Sequence, residues 1–211
     1  VDFNTAYADY NANTQYGHAI TDMAANKANV QAVFNNIKNK VKRRDFLYVW
    51  WMGHGLGGGA DYCNLSMELS HTGEYVSDVE FENYMTVIAN FRKRSVAIMT
   101  CHAGGMLDNL NTAGNKTVTL TSSTCAASSY EAPSTAICDG RNRAEFNMTF
   151  TDALALHNAC STAVASDTSG NGYVSLLEAH QYNQANMVTS VPQIVDPDTL
   201  AVNTHIKKYK P

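Results

Sequence analysis

The chain has no Cys-x-x-Cys pair among its five cysteines, so a structural zinc site is not expected. It has no apolar run of membrane-spanning length and no signal-peptide pattern. It lacks a charge excess of either sign: 15 Lys and Arg stand against 19 Asp and Glu, for a net charge of -4. A nucleic-acid or anionic-membrane surface is therefore not expected. Internal repeats and low-complexity tracts are absent too. The basic clusters Lys40-Val41-Lys42-Arg43-Arg44 and Arg92-Lys93-Arg94 are short. Each precedes an apolar strand candidate, so both read as helix C-termini complementing the dipole. A start at Val1 reads as a processed or trimmed product.

What is present suits one α/β domain over residues 1–211. Residues 1–25 are polar and aperiodic, mostly loop. Val30, Val33, Phe34, Ile37 and Val41 mark one face of a helix over Lys27–Val41. Phe46–Met52 reads as a strand covered on both faces. The glycine-rich stretch from Gly53 to Gly59 is too flexible for regular structure. Ser77-Asp-Val-Glu80 is a capping box opening a helix to about Arg94. Strands are expected at Ser95–Thr100 and Thr117–Ser122, and a short helix at Met106–Leu110. Longer helices follow at Phe146–Cys160 and Leu176–Asn186, and residues 187–211 form an irregular tail. Helices alternating with buried strands indicate a mostly parallel sheet, whose sites gather beyond the strands' carboxyl ends.

Two glycine-flanked turns fall there. His54 ends one strand, and Cys101 ends the strand after the next helix. A thiol works as a nucleophile in its thiolate form, and a nearby imidazole can take its proton. Acyl transfer also needs donors aimed at the developing oxyanion, which the backbone amides of Gly55 and Cys101 can supply. Gly104 and Gly105 let the chain turn sharply. An odd cysteine count fits one reactive thiol plus two disulfides, or five reduced thiols. If bridged, Cys63, Cys125, Cys138 and Cys160 allow three pairings. The sequons at Asn64, Asn115 and Asn147 argue nothing in a chain this rich in Asn, Ser and Thr.

The two motifs, apolar strand then Gly53-His54-Gly55 and apolar strand then Cys101-His102-Ala103-Gly104, resemble those of clan CD cysteine peptidases. The spacing is closer to the legumain-like and bacterial caspase-like branches than to caspases, whose glycine comes one residue earlier. Ala28-Asn29-Val30 and Ser128-Ser129-Tyr130-Glu131 also look legumain-like, and the resemblance covers most of residues 26–186. It implies a caspase-like three-layer sandwich and an endopeptidase. Cys101 would be the nucleophile, His54 the proton shuttle, and the Gly55 and Cys101 amides the oxyanion donors. No cofactor is required for that chemistry. The pocket for the residue before the scissile bond would be built around the turns holding His54 and Cys101, with His102 lining the cleft, and by the loop Ser122–Glu131, with Ser122, Ser123, Ser128 and Glu131 on it. Asp139, Arg141 and Arg143 lie just beyond; the charge preference stays open. The family's first strand has no counterpart in residues 1–25, so that strand is missing or supplied by a cleaved-off chain.

Asp167 to Glu178 fits a twelve-residue calcium loop. Oxygen donors fall at Asp167, Ser169, Asn171, Tyr173, Ser175 and Glu178, with Gly172 at position 6. Only two donors are charged, so a structural Ca2+ of low affinity is expected, against the plainer reading of an Asn/Gly turn capping a helix. The partners expected are a peptide or protein substrate, with no nucleic acid and no membrane. A calcium loop and disulfides lean towards a secreted, extracellular protein. Alternatives of another class are a non-catalytic, calcium-stabilised binding module, and a peptide ligase using the same dyad.

Overall fold

The computed structural model describes residues 23–59, 62–69, 73–133 and 142–208. Of the sequence expectations, those for residues 1–22, Cys138, Asp139 and Arg141 lie outside these segments.

The central sheet is built by β1 (Phe46–Met52), β5 (Lys93–Met99), β6 (Thr117–Thr121) and β8 (Gln193–Val195), in that order. β1, β5 and β6 run parallel, and β8 is antiparallel to β6. Alternation along the strands sends side chains to two separate cores. On one face Val96 and Ile98 pack with Leu47, Val49 and Trp51 beneath α1 (Lys27–Lys40) and α2 (Asp78–Thr86). On the other, Ala97, Met99, Val118 and Leu120 pack with Trp50 beneath α4 (Glu145–Ala155) and α5 (Leu176–Asn186). α3 (Leu107–Leu110) is the short helix after β5. The fold is thus mixed α/β, with a mostly parallel sheet and helices on both faces.

The helix expected from Lys27 forms because Asn26 caps it, its Oδ1 accepting the Asn29 N–H at 2.9 Å. Phe34 then buries between Phe81 and Tyr84, at centroid distances of 5.9 and 5.6 Å. The Ser77 capping box is present, but α2 stops at Thr86 rather than Arg94. Ile88 and Phe91 stay buried without a helix, because Arg92 N–H turns to the Asp45 carbonyl at 2.9 Å and starts β5 alongside β1. Arg92-Lys93-Arg94 is therefore no helix terminus, and Arg94 is buried. α4 ends at Ala155, before Cys160, where Leu156 takes a left-handed conformation at φ 58°.

Two further expectations are corrected. The glycine stretch contains a strand, β2 (Gly55–Gly58), which joins β3 (Asn64–Leu69) and β4 (Glu74–Ser77) in an antiparallel meander. The tail is also not irregular: besides β8 it holds β9 (His205–Lys208), antiparallel to β7 (Tyr173–Ser175). Strands of three or four residues carry too few positions for a period to show, and sheet pairing supplies their order.

Candidate active site

β1 and β5 stay in register to their last residues, with Met52 opposite Met99. Gly53 N–H extends the pairing by donating to the Met99 carbonyl at 3.1 Å. His54 and Cys101 therefore each stand two positions past one paired rung, on strands roughly 5 Å apart. His54 is exposed and Cys101 half-buried. The His54 carbonyl accepts the Glu68 N–H at 3.0 Å, which fixes the start of β2. The next rung, Gly55 opposite Met67, is then a non-hydrogen-bonded one. The Gly55 amide is left out of the β2–β3 ladder.

β2 lies directly on the Cys101 turn, and that contact demands its glycines. A Cβ on Gly55 would overlap the Cys101 carbonyl, and one on Gly57 would come within 2.9 Å of the His102 ring. His102 is left-handed, at φ 59°. Its N–H donates to the Ala127 carbonyl at 2.9 Å, its Nδ1 sits 2.7 Å from the Cys125 carbonyl, and its ring stacks on Tyr62. These contacts make His102 a brace for the turn, and its side chain stays partly exposed.

Ser122 and Ser123 are fully buried, which corrects their assignment to the substrate pocket. Both hydroxyls donate to the Thr100 carbonyl, at 3.3 and 3.1 Å, and Ser123 Oγ also accepts the Ala103 N–H at 3.1 Å. They hold the turn from behind and cannot reach a ligand. Ser128 is half-buried and Glu131 exposed, on the far part of the same loop. Arg143 lies across from them, its carbonyl accepting Ala132 N–H at 2.8 Å.

Among the described cysteines, Cys101 is the one left as a thiol. Cys63 is bonded to Cys125, and Cys160 is also disulfide-bonded. The Cys63–Cys125 bridge ties the start of β3 to the loop after β6, and it closes against the Cys101 turn. A Cβ on Gly105 would stand 2.6 Å from the Cys63 carbonyl oxygen, and one on Gly104 would run into the Cys125 amide.

The structure brings to the thiol Ser129 and, behind it, Ser190 and Glu145, to which the sequence analysis gave no role in the site. Cys101 Sγ faces the Ser129 carbonyl at 3.6 Å. Behind it, Tyr130 N–H donates to Ser190 Oγ at 3.0 Å, and Ser190 N–H donates to the buried carboxylate of Glu145 at 2.8 Å. Glu145 also accepts from the Val188 and Thr189 amides and the Thr189 hydroxyl. Burial pushes its carboxyl up, but these donors outweigh burial and hold it below the usual range. A backbone carbonyl leaves no mark in a sequence, and Glu145 has the look of an ordinary first-turn acid.

In the loop at 167–178, Asp167 accepts from the Asn171 and Gly172 amides at 3.2 and 2.8 Å and from the Ser169 hydroxyl at 3.2 Å. Glu178 accepts from Ser169 N–H and from Ser175 N–H, both at 2.9 Å, and Ser175 caps α5. Asn171 Oδ1 accepts Tyr173 N–H at 2.8 Å. Desolvation would raise the Glu178 carboxyl, but the Ser175 and Ser169 donors bring it down to about 2. The two carboxylates thus meet at Ser169, with the other oxygens strung around the loop. Among the described residues, no three His, Cys, Asp or Glu side chains gather as a metal-binding group.

Neither a family model nor a curated protein matches the chain. Among solved structures, it is similar to the crystal structure of protein GSU0716 from Geobacter sulfurreducens. The two share 13% identity at a TM-score of 0.58, over 87% of this chain and 80% of that one. At that identity the likeness concerns fold alone.

Proposed function

We propose that the chain is a cysteine endopeptidase of caspase-like architecture, with Cys101 as nucleophile and His54 as proton shuttle. The observation that carries this reading is the shared rung. His54 and Cys101 leave the same end of adjacent parallel strands, and Cys101 is a partly accessible thiol where the other described cysteines are bridged. The chemistry follows from that placement. His54 takes the thiol proton as Sγ attacks the scissile carbonyl carbon. The Gly55 and Cys101 amides receive the oxyanion, and the protonated imidazole returns its proton to the leaving amine. Water then hydrolyses the thioester. The Ser129 carbonyl beside Sγ holds the thiol in place before attack.

Asp167, Ser169, Asn171, Tyr173, Ser175 and Glu178 would hold a structural Ca2+, chiefly through neutral oxygens. Two carboxylates favour weak binding. The disulfides fit an oxidising, extracellular setting.

The deciding experiment profiles cleavage of a diverse peptide library by the native chain and by Cys101→Ala. Cleavage lost in the variant supports the reading. Equal cleavage by both, or none by the native chain together with an unreactive Cys101 under iodoacetamide, removes it.

A further inference from the structure

At the opposite end of β5 from Cys101, a cavity of about 330 Å³ opens between α2, α3 and the loop before β6. Met85, Ile88, Phe91 and Leu110 give it apolar walls, and Arg94 reaches into it. Arg94 is only 4% exposed. Its Nε donates to Thr117 Oγ1 at 2.9 Å and its Nη1 to the Met85 carbonyl at 2.8 Å. The guanidinium carbon stands 4.9 Å from the centre of the Phe91 ring. A guanidinium has five N–H donors, and here those of Nη2 find no acceptor among the described residues. No carboxylate lies within ion-pair distance of Arg94 among the described residues.

A buried cation is costly unless it is paired. Thr117 and Met85 offer neutral oxygens only. Burial lowers the Arg94 guanidinium to about 10, so it stays charged at neutral pH. The cavity's one acid, Glu82, is engaged by the Asn109 amide at 3.2 Å, and Lys116 lines the cavity as well. Asn109 Oδ1, on the same lining, is a buried polar atom without a partner. Apolar walls around the buried Arg94 guanidinium, with Lys116 and Glu82 as the other charged groups on the lining, favour a monoanion with a hydrophobic body. A phosphate or polyanion would leave the apolar walls uncovered and face Glu82.

We infer that this cavity is a binding site for a small hydrophobic carboxylic acid, whose carboxylate pairs with the free edge of the Arg94 guanidinium while its body fills the space between Met85, Ile88, Phe91 and Leu110. The site is separate from the proposed catalytic turn. Seven residue steps of extended chain, roughly 20 Å, separate Arg94 from Cys101.

Benzoate is the probe, with benzamide as its neutral counterpart and inorganic phosphate as a compact anion, each titrated by calorimetry and thermal unfolding. Saturable one-to-one binding of benzoate with a raised Tm is expected, at least tenfold tighter than either comparator. Arg94→Gln should abolish it. Ala89→Trp, which adds bulk to the lining at a residue that makes none of the Arg94 hydrogen bonds, should also abolish it while leaving the circular dichroism unchanged. Cys101→Ser should bind as the native chain does, whatever its effect on peptide cleavage. Equal binding of benzoate and benzamide, phosphate as tight as benzoate, no saturable binding, or full binding by Ala89→Trp would each overturn the inference.

Discussion

A methyl group on Gly55 would overlap the carbonyl oxygen of Cys101 and stand 2.7 Å from Thr100 Oγ1. The strand after the His54 turn and the turn that presents the thiol are therefore in direct backbone contact. Gly55→Ala should push them apart and displace the Gly55 amide from its place beside Cys101. Catalytic efficiency should fall by a factor of about 100 or more, the scale of a lost oxyanion donor. Kinetics on a fluorogenic peptide, with circular dichroism to confirm folding, checks this.

Cys101 should react with iodoacetamide at neutral pH while Cys63, Cys125 and Cys160 stay unmodified, because disulfide sulfur is not alkylated. Peptide mapping by mass spectrometry reads the outcome. His54→Ala should slow peptide cleavage by a factor of about 100 to 10,000, the usual range for a general acid–base.

The Cys63–Cys125 bridge spans 62 positions of sequence. In the chain-entropy picture, a loop of that length is worth about 4 kcal/mol. The double variant Cys63→Ala/Cys125→Ala should unfold at markedly lower urea concentration. Activity should fall further than stability explains, since both arms of the bridge rest on Gly104 and Gly105.

Acid should destabilise the protein in two windows. His180 is 3% exposed, and burial lowers it to about 4, so between its ordinary value of 6.5 and 4 the unfolded chain binds a proton that the folded chain refuses. Stability falls with pH across that range. Glu178, at about 2 when folded, and Glu145, also lowered, contribute stability above their ordinary value of 4.5. That contribution is lost as pH drops towards their folded values. His180→Gln should flatten the upper window and Glu178→Gln the lower one, in urea titrations at stepped pH.

Millimolar Ca2+ should raise the Tm of the native chain by a few degrees, and Glu178→Gln should remove the rise. Calcium-insensitive unfolding would reduce 167–178 to a helix-capping turn.

The strands that matter most are legible in the sequence because they are long and apolar. β1 has the bounds that the run Phe46–Met52 indicates, and α5 starts and stops where expected; in sequence its capping box of Ser175 and Glu178 reads only as calcium donors. Cys101 and His54 can be placed at strand ends because glycines punctuate both. The glycines themselves mislead. They read as irregular chain, whereas at Gly55 and Gly57 they are small so that a strand can lie on the turn. β3 does show alternation, with Leu65, Met67 and Leu69 buried, but six residues between glycines and serines give it little weight. Ser122 and Ser123 have the polarity of a pocket, and only the fold reveals that both face Thr100. Arg94 is the reverse case: a charge in a basic cluster, expected at a helix end, that tertiary packing buries.

The bridge between Cys63 and Cys125 sets a practical conflict at this end of the molecule. Dithiothreitol, added by habit to keep a thiol such as Cys101 reduced, would open this bridge in the same stroke. Preparations kept in strong reductant would look inert for reasons unrelated to the nucleophile. A mild monothiol, titrated against the intact bridge, is the condition under which this chain should first be assayed.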